Sequence, residues 1–317
     1  MTFNPSSSRR HFLQRIAVAS TLALPSLATR AATPLVVGYT AVPDFGAAFI
    51  AKEKGYFASR GLDVRLQAIS LTSTVPAALV SNSVQIGGTT PPVFLQAADG
   101  GLDLVAVATG STFAQSMNPV AVVAKNGGAV KTAADLAGRK LAVPGLNGTL
   151  HVLARRWLKL QGVDPAKVSF VEVQMPQIPS VLSSGSVDAA VAAEPFVGRM
   201  VAGNIGFVLP GLSQAMADGA ATVLFAATRQ WATSNPDLIK AFREALAEAV
   251  VFAQSDRAAA LAAIGQYFKV PPPVLQATPF PQLQSGVTDA QLRFWTDVMR
   301  EQDMLMKPPT VSSLILR

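Results

Sequence analysis

Three observations predict an α/β fold organised as two lobes. Short apolar segments alternate with amphipathic ones along the chain. Many of the apolar segments end in small polar loops that lead straight into helix starts. The pattern then restarts near Lys131 and runs a second time. Alternating strand and helix is the grammar of parallel sheets with right-handed crossovers, and 317 residues suffice for two such lobes with ample core.

The first residues read as a leader. Arg9-Arg10 with Phe12-Leu13, the apolar run Ile16–Leu24 and the small residues up to Ala31-Ala32 have the layout of an export signal, of twin-arginine character, with cleavage expected within Ala28–Ala32. A general secretory signal would share the same charged start. Loss of residues 1–32 removes Arg9, Arg10, Arg15 and Arg30 and no acid, which takes the net charge from +7 to +3. No basic stretch interleaved with aromatics suggests a nucleic-acid face. The chain has no cysteine, so disulfides, thiolate chemistry and a lipid-modified cysteine are excluded. Only His151 remains after cleavage, which excludes a histidine-rich metal site.

Pro34–Tyr39 is the first strand and ends in the polar loop Thr40–Asp44. Phe45–Arg60 reads as a helix, with Asp44 as a candidate cap and Gly61 as its left-handed stop. Asp63–Ile69 alternates as a strand, and Thr72–Val80 reads as a helix capped by Ser73. A polar turn, Ser81–Ser83, then leads to a strand at Val84–Ile86, the loop Gly87-Gly88-Thr89-Thr90 and a helix opened by Pro91-Pro92. Proline suits the first helical position and threonine the cap before it. The free N–H groups of a helix start suit a polar or anionic ligand; an ordinary strand-to-helix turn would use the same residues. Leu102–Ala108 is a further strand, ending in Thr109-Gly110-Ser111-Thr112-Phe113, and Val120–Ala124 is apolar again. In such sheets ligands lie outside the carboxyl ends of the strands.

In the second run Thr132 and Asp135 form a capping-box pattern. Arg139–Val143 is a strand, Pro144–Thr149 a small polar loop, and Leu150–Leu160 a helix closed by Gly162. Val168–Val173 (strand), Gln174–Gln177 (loop), Ile178–Ser184 (helix) and Val187–Val191 (strand) follow, running into Glu194-Pro195-Phe196. Leu182–Glu194 resembles Leu79–Thr90 in plan. Thr222–Ala227 reads as a strand returning to the first lobe. The helix from Asn235 to about Gln254 carries the stripe Leu238, Ile239, Phe242, Leu246 and Val250, with Lys240, Arg243, Glu244 and Glu248 toward water. Pro271-Pro272-Pro273 breaks the chain. Thr288 and Gln291 make a capping box for a helix to about Met304, and Ser312–Arg317 receives no assignment.

Phe49–Phe57 (FIAKEKGYF) with Gly61-Leu62-Asp63-Val64, Ser83–Gly87, Asp135–Val143 (DLAGRKLAV), and Leu182, Gly185, Val187–Ala190 and Glu194-Pro195-Phe196 carry a family resemblance. In this order and spacing the chain resembles the periplasmic substrate-binding proteins of ABC importers of the nitrate/sulfonate/taurine (SsuA/NMT1-like) type, over about residues 34–310. The resemblance implies a type II periplasmic binding protein: α/β, with two lobes on central mixed or mostly parallel sheets. Lobe one would comprise 34–118 plus 222–317 and lobe two 119–221, with crossings near Asn118–Val120 and Thr222. A solute in the cleft would be enclosed by hinge closure. The family's ligand loops fall on Thr40, Asp44, Gly88, Thr89, Thr90, Ser111, Thr112, Asn147, Gly148, Thr149, Gln177 and Glu194. The implied partners are a small organic solute or anion (a sulfonate, a carboxylate or a related compound) and an inner-membrane permease with its ATPase. No cofactor, metal or nucleic acid is implied, and the protein would be a periplasmic monomer rather than an enzyme.

Several of these residues have a second reading. Thr149, Asp44 and Glu194 also fit helix caps. His151, Phe113 and Phe196 fit core packing as well as a ligand contact. No Arg or Lys falls in a ligand loop, so an anion would have to be held by amides and hydroxyls, and a neutral or aromatic solute is equally admitted. Two other functions share the fold: an enzyme of thiamine-pyrimidine or menaquinone synthesis, and a ligand-sensing partner of a membrane signalling protein. The thiamine relatives use a cysteine-rich segment that this chain lacks.

Overall fold

The computed structural model describes residues 32–117, 119–267, 272–307 and 309–317. The expected leader, Asn118 of the first crossing and Pro271 of the proline run lie outside them. The first run of elements is β1 (Thr33–Tyr39), α1 (Gly46–Glu53), β2 (Leu62–Ala68), α2 (Val75–Val80), β3 (Ile86–Thr89), α3 (Pro91–Asp99) and β4 (Leu104–Thr112). The second is β5 (Val120–Lys125), β6 (Lys140–Val143), α4 (Thr149–Leu160), β7 (Ser169–Glu172), α5 (Ile178–Ser184), β8 (Ala189–Ala193), α6 (Phe196–Ala202) and β9 (Gly206–Leu209). The chain closes with β10 (Ala221–Thr228), α7 (Arg229–Ser234), α8 (Pro236–Ser255), α9 (Arg257–Gly265), α10 (Pro272–Ala277), β11 (Gln282–Leu283) and α11 (Asp289–Arg300).

Two sheets result, in the orders β11-β4-β10-β3-β1-β2 and β7-β6-β8-β5-β9. They share a plan. In the first, β2, β1 and β3 are parallel and β10 runs antiparallel between β3 and β4. In the second, β7, β6 and β8 are parallel and β5 runs antiparallel between β8 and β9. In each sheet the antiparallel strand is the one delivered by the chain as it crosses from the other. This is the two-lobe α/β architecture with mixed sheets that the sequence predicts.

The boundaries differ where long-range pairing decides them. Gly87-Gly88-Thr89 is strand rather than loop, because β10 comes back to pair with it, Phe225 opposite Gly88 and Leu224 opposite Thr89. β4 likewise runs on to Thr112, paired to β10 and β11. The helix expected over Phe45–Arg60 stops at Glu53, since Gly55 turns left-handed at φ +75; Gly61 at φ +71 is the expected left-handed stop. Ser73 caps nothing: its hydroxyl donates to Glu172 at 3.1 Å. Thr132 and Asp135 open no α-helix. The Asp135 carboxylate accepts from the Lys131 and Thr132 amides and the Thr132 hydroxyl, which hold it below the usual carboxylate range. Arg243 is not turned to water. Its guanidinium is half-buried and donates to the carbonyls of Val107 (2.6 Å) and Leu316, holding the C-terminal segment against β4. Thr288 and Gln291 do form their capping box.

One core, with Phe45, Phe49, Phe57, Phe225 and Phe242, lies between the first sheet and α1, α8 and α9. The other continues from α2 and α3 through α4 and α11 into the second sheet, around Trp157 and Trp295. The lobes are therefore joined by shared apolar packing as well as by the crossing chain.

Candidate functional site

A cavity of about 250 Å³ lies at the carboxyl ends of the parallel strands of both sheets. From the first sheet it takes Thr40–Asp44 after β1, Ala68–Ser70 and Thr72 after β2, and Thr90 after β3. From the second it takes Pro144, Gly145 and Gly148–Leu150 after β6, Gln174–Pro176 after β7, and Ala193 and Glu194 at the end of β8. The crossing strands supply Thr112, Phe113, Met117, Pro119, Val120, Thr222 and Val223. All six parallel strands thus aim their ends into one space, as ligand sites in open α/β sheets require.

The two walls touch. The Thr149 hydroxyl donates to the Thr222 carbonyl at 3.1 Å, and Ser73 reaches Glu172, whose Oε1 also accepts the Leu146 amide at 2.8 Å. A Cβ on Gly145 would stand 2.6 Å from the Thr72 hydroxyl, so only glycine admits this approach.

Of the expected site residues, Thr40, Asp44, Thr90, Thr112, Gly148, Thr149 and Glu194 line the cavity. Asp44 is not a cap. Its Oδ1 accepts from the hydroxyls of Ser111 at 2.6 Å and Thr222 at 2.9 Å, and those two hydroxyls are in contact with each other. Thr90 occupies the N-cap position of α3, yet its side chain makes no capping bond; Oγ1 is buried without a partner. Thr149 is the first residue of α4, and Gly148 holds the cap position. Glu194 does bond to α6: its Oε2 accepts the Gly198 amide at 2.9 Å, while the residue also faces the cavity.

Gly88, Thr89, Ser111, Asn147 and Gln177 do not line it. Gly88 and Thr89 lie in β3 behind the wall, and Gly88 packs against the Phe45 ring. Ser111 acts through Asp44. Asn147 adopts φ +61 and donates its amide to His151 Nδ1 at 2.8 Å. Gln177 is exposed, and Gln174 takes the place at the wall. His151 is a packing residue: it is buried edge-on to Phe170 at 4.4 Å, and burial, with a smaller contribution from Arg155, lowers its pKa to about 4. Phe113 is buried and lines the cavity, whereas Phe196 is core.

Ser70, Thr72, Gln174, Thr222 and Thr278 line the cavity and were not among the expected ligand residues. For Thr222 a signal was available: a crossing segment of a two-lobe protein passes the floor of the cleft. Among the described residues the walls carry no Lys, Arg or His, only the carboxylates of Asp44 and Glu194.

A ligand-sized cavity lined by two lobes of this topology defines the class, a type II periplasmic-binding-protein fold. The chain belongs to the NMT1/THI5-like family, whose model matches residues 42–260. It is 30% identical over 172 residues to a putative thiamine biosynthesis protein of Haemophilus influenzae, covering 54% of this chain and 52% of that one. It is 27% identical over 180 residues to the taurine-binding periplasmic protein of Escherichia coli, covering 56% and 53%. The chain spans about half the length of these curated relatives. The fold is similar to that of the alkanesulfonate-binding protein SsuA from Xanthomonas axonopodis pv. citri bound to MOPS, with a TM-score of 0.75 at 20% identity over 90% of this chain and 98% of that one.

Proposed function

We propose that this protein is the extracytoplasmic solute-binding component of an ABC importer. It captures a small organic solute between its lobes and presents it to an inner-membrane permease with its ATPase. The observation that carries this reading is a cavity formed jointly by the strand ends of both lobes, whose volume suits a compact ligand. The likeness to a taurine-binding periplasmic protein supports the periplasmic location and the transport role. The ligand would be held by Thr40, Asp44, Thr90, Thr112, Gly148, Thr149 and Glu194, with Ser111 and Asn147 fixing the loops from behind.

The site favours binding over chemistry. Thr90, the buried hydroxyl that faces the cavity, has no base beside it, and an unactivated hydroxyl is a poor nucleophile. The test is a thermal-shift screen of the purified protein with sulfonates, carboxylates, amines, pyrimidines and flavins, followed by calorimetry on the hits. A one-to-one complex recovered with its ligand unchanged is expected. Conversion of the bound ligand would instead support the enzymatic reading suggested by the thiamine-biosynthesis name of one relative.

A further inference from the structure

We infer that the cleft selects a compact, mainly apolar solute with a cationic, hydrogen-bond-donating head such as an ammonium, and rejects inorganic and sulfonate anions; this deepens, and rests on, the solute-receptor reading above. The charge of the walls comes first. The carboxylates on the walls are those of Asp44 from the first lobe and Glu194 at the end of β8 in the second. Each commits one oxygen to the protein, Oδ1 to the hydroxyls of Ser111 and Thr222 and Oε2 to the Gly198 amide. Among the described residues nothing donates to Oδ2 or Oε1. An anion entering this space would meet like charge in surroundings poor in water, where such juxtaposition is strongly unfavourable.

The second observation is what the helix starts lack. α3 points its start at the cavity, but Pro91 and Pro92 have no N–H, and Phe94 N is already bonded to the Thr90 carbonyl. The cradle an anion would use there keeps only the Val93 amide. In its place stands the Thr90 hydroxyl, more than nine-tenths buried, facing the cavity and without a partner. A buried hydroxyl left unpaired is costly, and it can be satisfied by accepting from a ligand N–H or O–H or by donating to a ligand oxygen. The start of α4 keeps its amides, so it is where an anion would sit if one bound.

Between the hydroxyls and Gln174 much of the wall is apolar: Ile69, Phe113, Leu150, Leu153, Met175 and Met216 face the same space. Such a surface rewards a hydrocarbon or aromatic body, and the two methionines can adapt to its shape.

Matched probes separate head group from body. Calorimetry of the purified protein with benzylammonium, benzyl alcohol, benzenesulfonate, taurine and nitrate is the experiment, repeated on Glu194→Gln and Asp44→Asn. Benzylammonium is expected to bind about tenfold or more tightly than benzyl alcohol, with no detectable binding of benzenesulfonate or nitrate. In Glu194→Gln, which keeps an acceptor for Gly198, the ratio of the first two affinities is expected to fall toward one. Asp44 also organises Ser111 and Thr222, so Asp44→Asn is read only if its circular dichroism and melting match the wild type. Benzenesulfonate binding as tightly as benzylammonium, or a ratio that neither variant alters, overturns the inference and leaves the receptor reading standing. No binding by these probes or by the wider screen overturns both.

Discussion

At the scale of single residues, Thr90 and His151 are the informative pair, because each is buried with a polar atom unpartnered. The Thr90 side chain makes no bond to its helix, which leaves its hydroxyl open to a ligand. Thr90→Val keeps the shape and removes the unpaired group. We expect thermal stability of the ligand-free protein to hold or rise, while affinity for whatever solute the screen identifies falls by about two- to tenfold, the worth of one hydrogen bond of about 0.5–1.5 kcal/mol. Equal loss of both would make Thr90 a structural residue. In His151 the Asn147 amide donates to Nδ1, so the neutral ring carries its proton on Nε2. Its pKa in the folded protein is about 4 against an ordinary 6.5. Between those values the unfolded chain binds a proton that the folded one refuses. Stability is therefore complete above about pH 6.5 and is lost as pH falls toward 4, by up to about 3 kcal/mol. Urea unfolding between pH 7 and 4 is expected to show this loss in the wild type and a smaller one in His151→Gln. Parallel curves would exclude His151 as the source.

At the scale of elements, the stretch Gly87–Thr90 shows what the sequence could and could not convey. The strand, the prolines and the helix that follow one another there were legible, because each is a local preference of backbone and ring. The pairing partner was not. β10 lies far along the chain, and only its return makes Gly88 a strand residue with Phe225 opposite. The same distance in sequence concealed Thr222 beside Asp44, and so turned an apparent helix cap into a hydrogen-bonded carboxylate at the cavity wall. The polar strand ends singled out in the sequence meet at one cavity as a set, since their convergence depends on topology. Which member of each loop faces inward depends on one or two dihedral angles, and so Gln174 rather than Gln177 reaches the wall. Gly88 tests this layer. A Cβ there would lie 2.6 Å from the Phe45 ring and 2.9 Å from the Gly38 carbonyl oxygen. The carbonyl belongs to the sheet and cannot retreat. Gly88→Ala is expected to cost about 1–3 kcal/mol in chemical unfolding. It is also expected to weaken solute binding, because Phe45 is joined directly to Asp44. Wild-type stability in this variant would show that the sheet yields where the contact distances say it cannot.

At the scale of the whole molecule, the question is what holds the lobes around their cavity. The apolar packing of α3, α4 and α11 lies in a core shared by both lobes. Polar contacts bridge the two walls of the cleft. Glu172 is central to one of them: its Oε1 receives the Leu146 amide from its own lobe and the Ser73 hydroxyl from the other. A closure held by a few such bonds is reversible, as the proposed receptor role requires. On the receptor reading a bound solute leaves by opening, so weakening the contact is expected to act on dissociation more than on association. Glu172→Ala removes both bonds, and Ser73→Ala removes only the one that crosses. Measured by stopped-flow with an identified solute, Glu172→Ala is expected to raise the dissociation rate about tenfold and Ser73→Ala by a smaller factor, with association nearly constant in both. If Glu172→Ala alone has an effect, Glu172 acts by ordering the loop at Leu146. If neither rate changes, closure rests on the Thr149–Thr222 contact and on the solute itself.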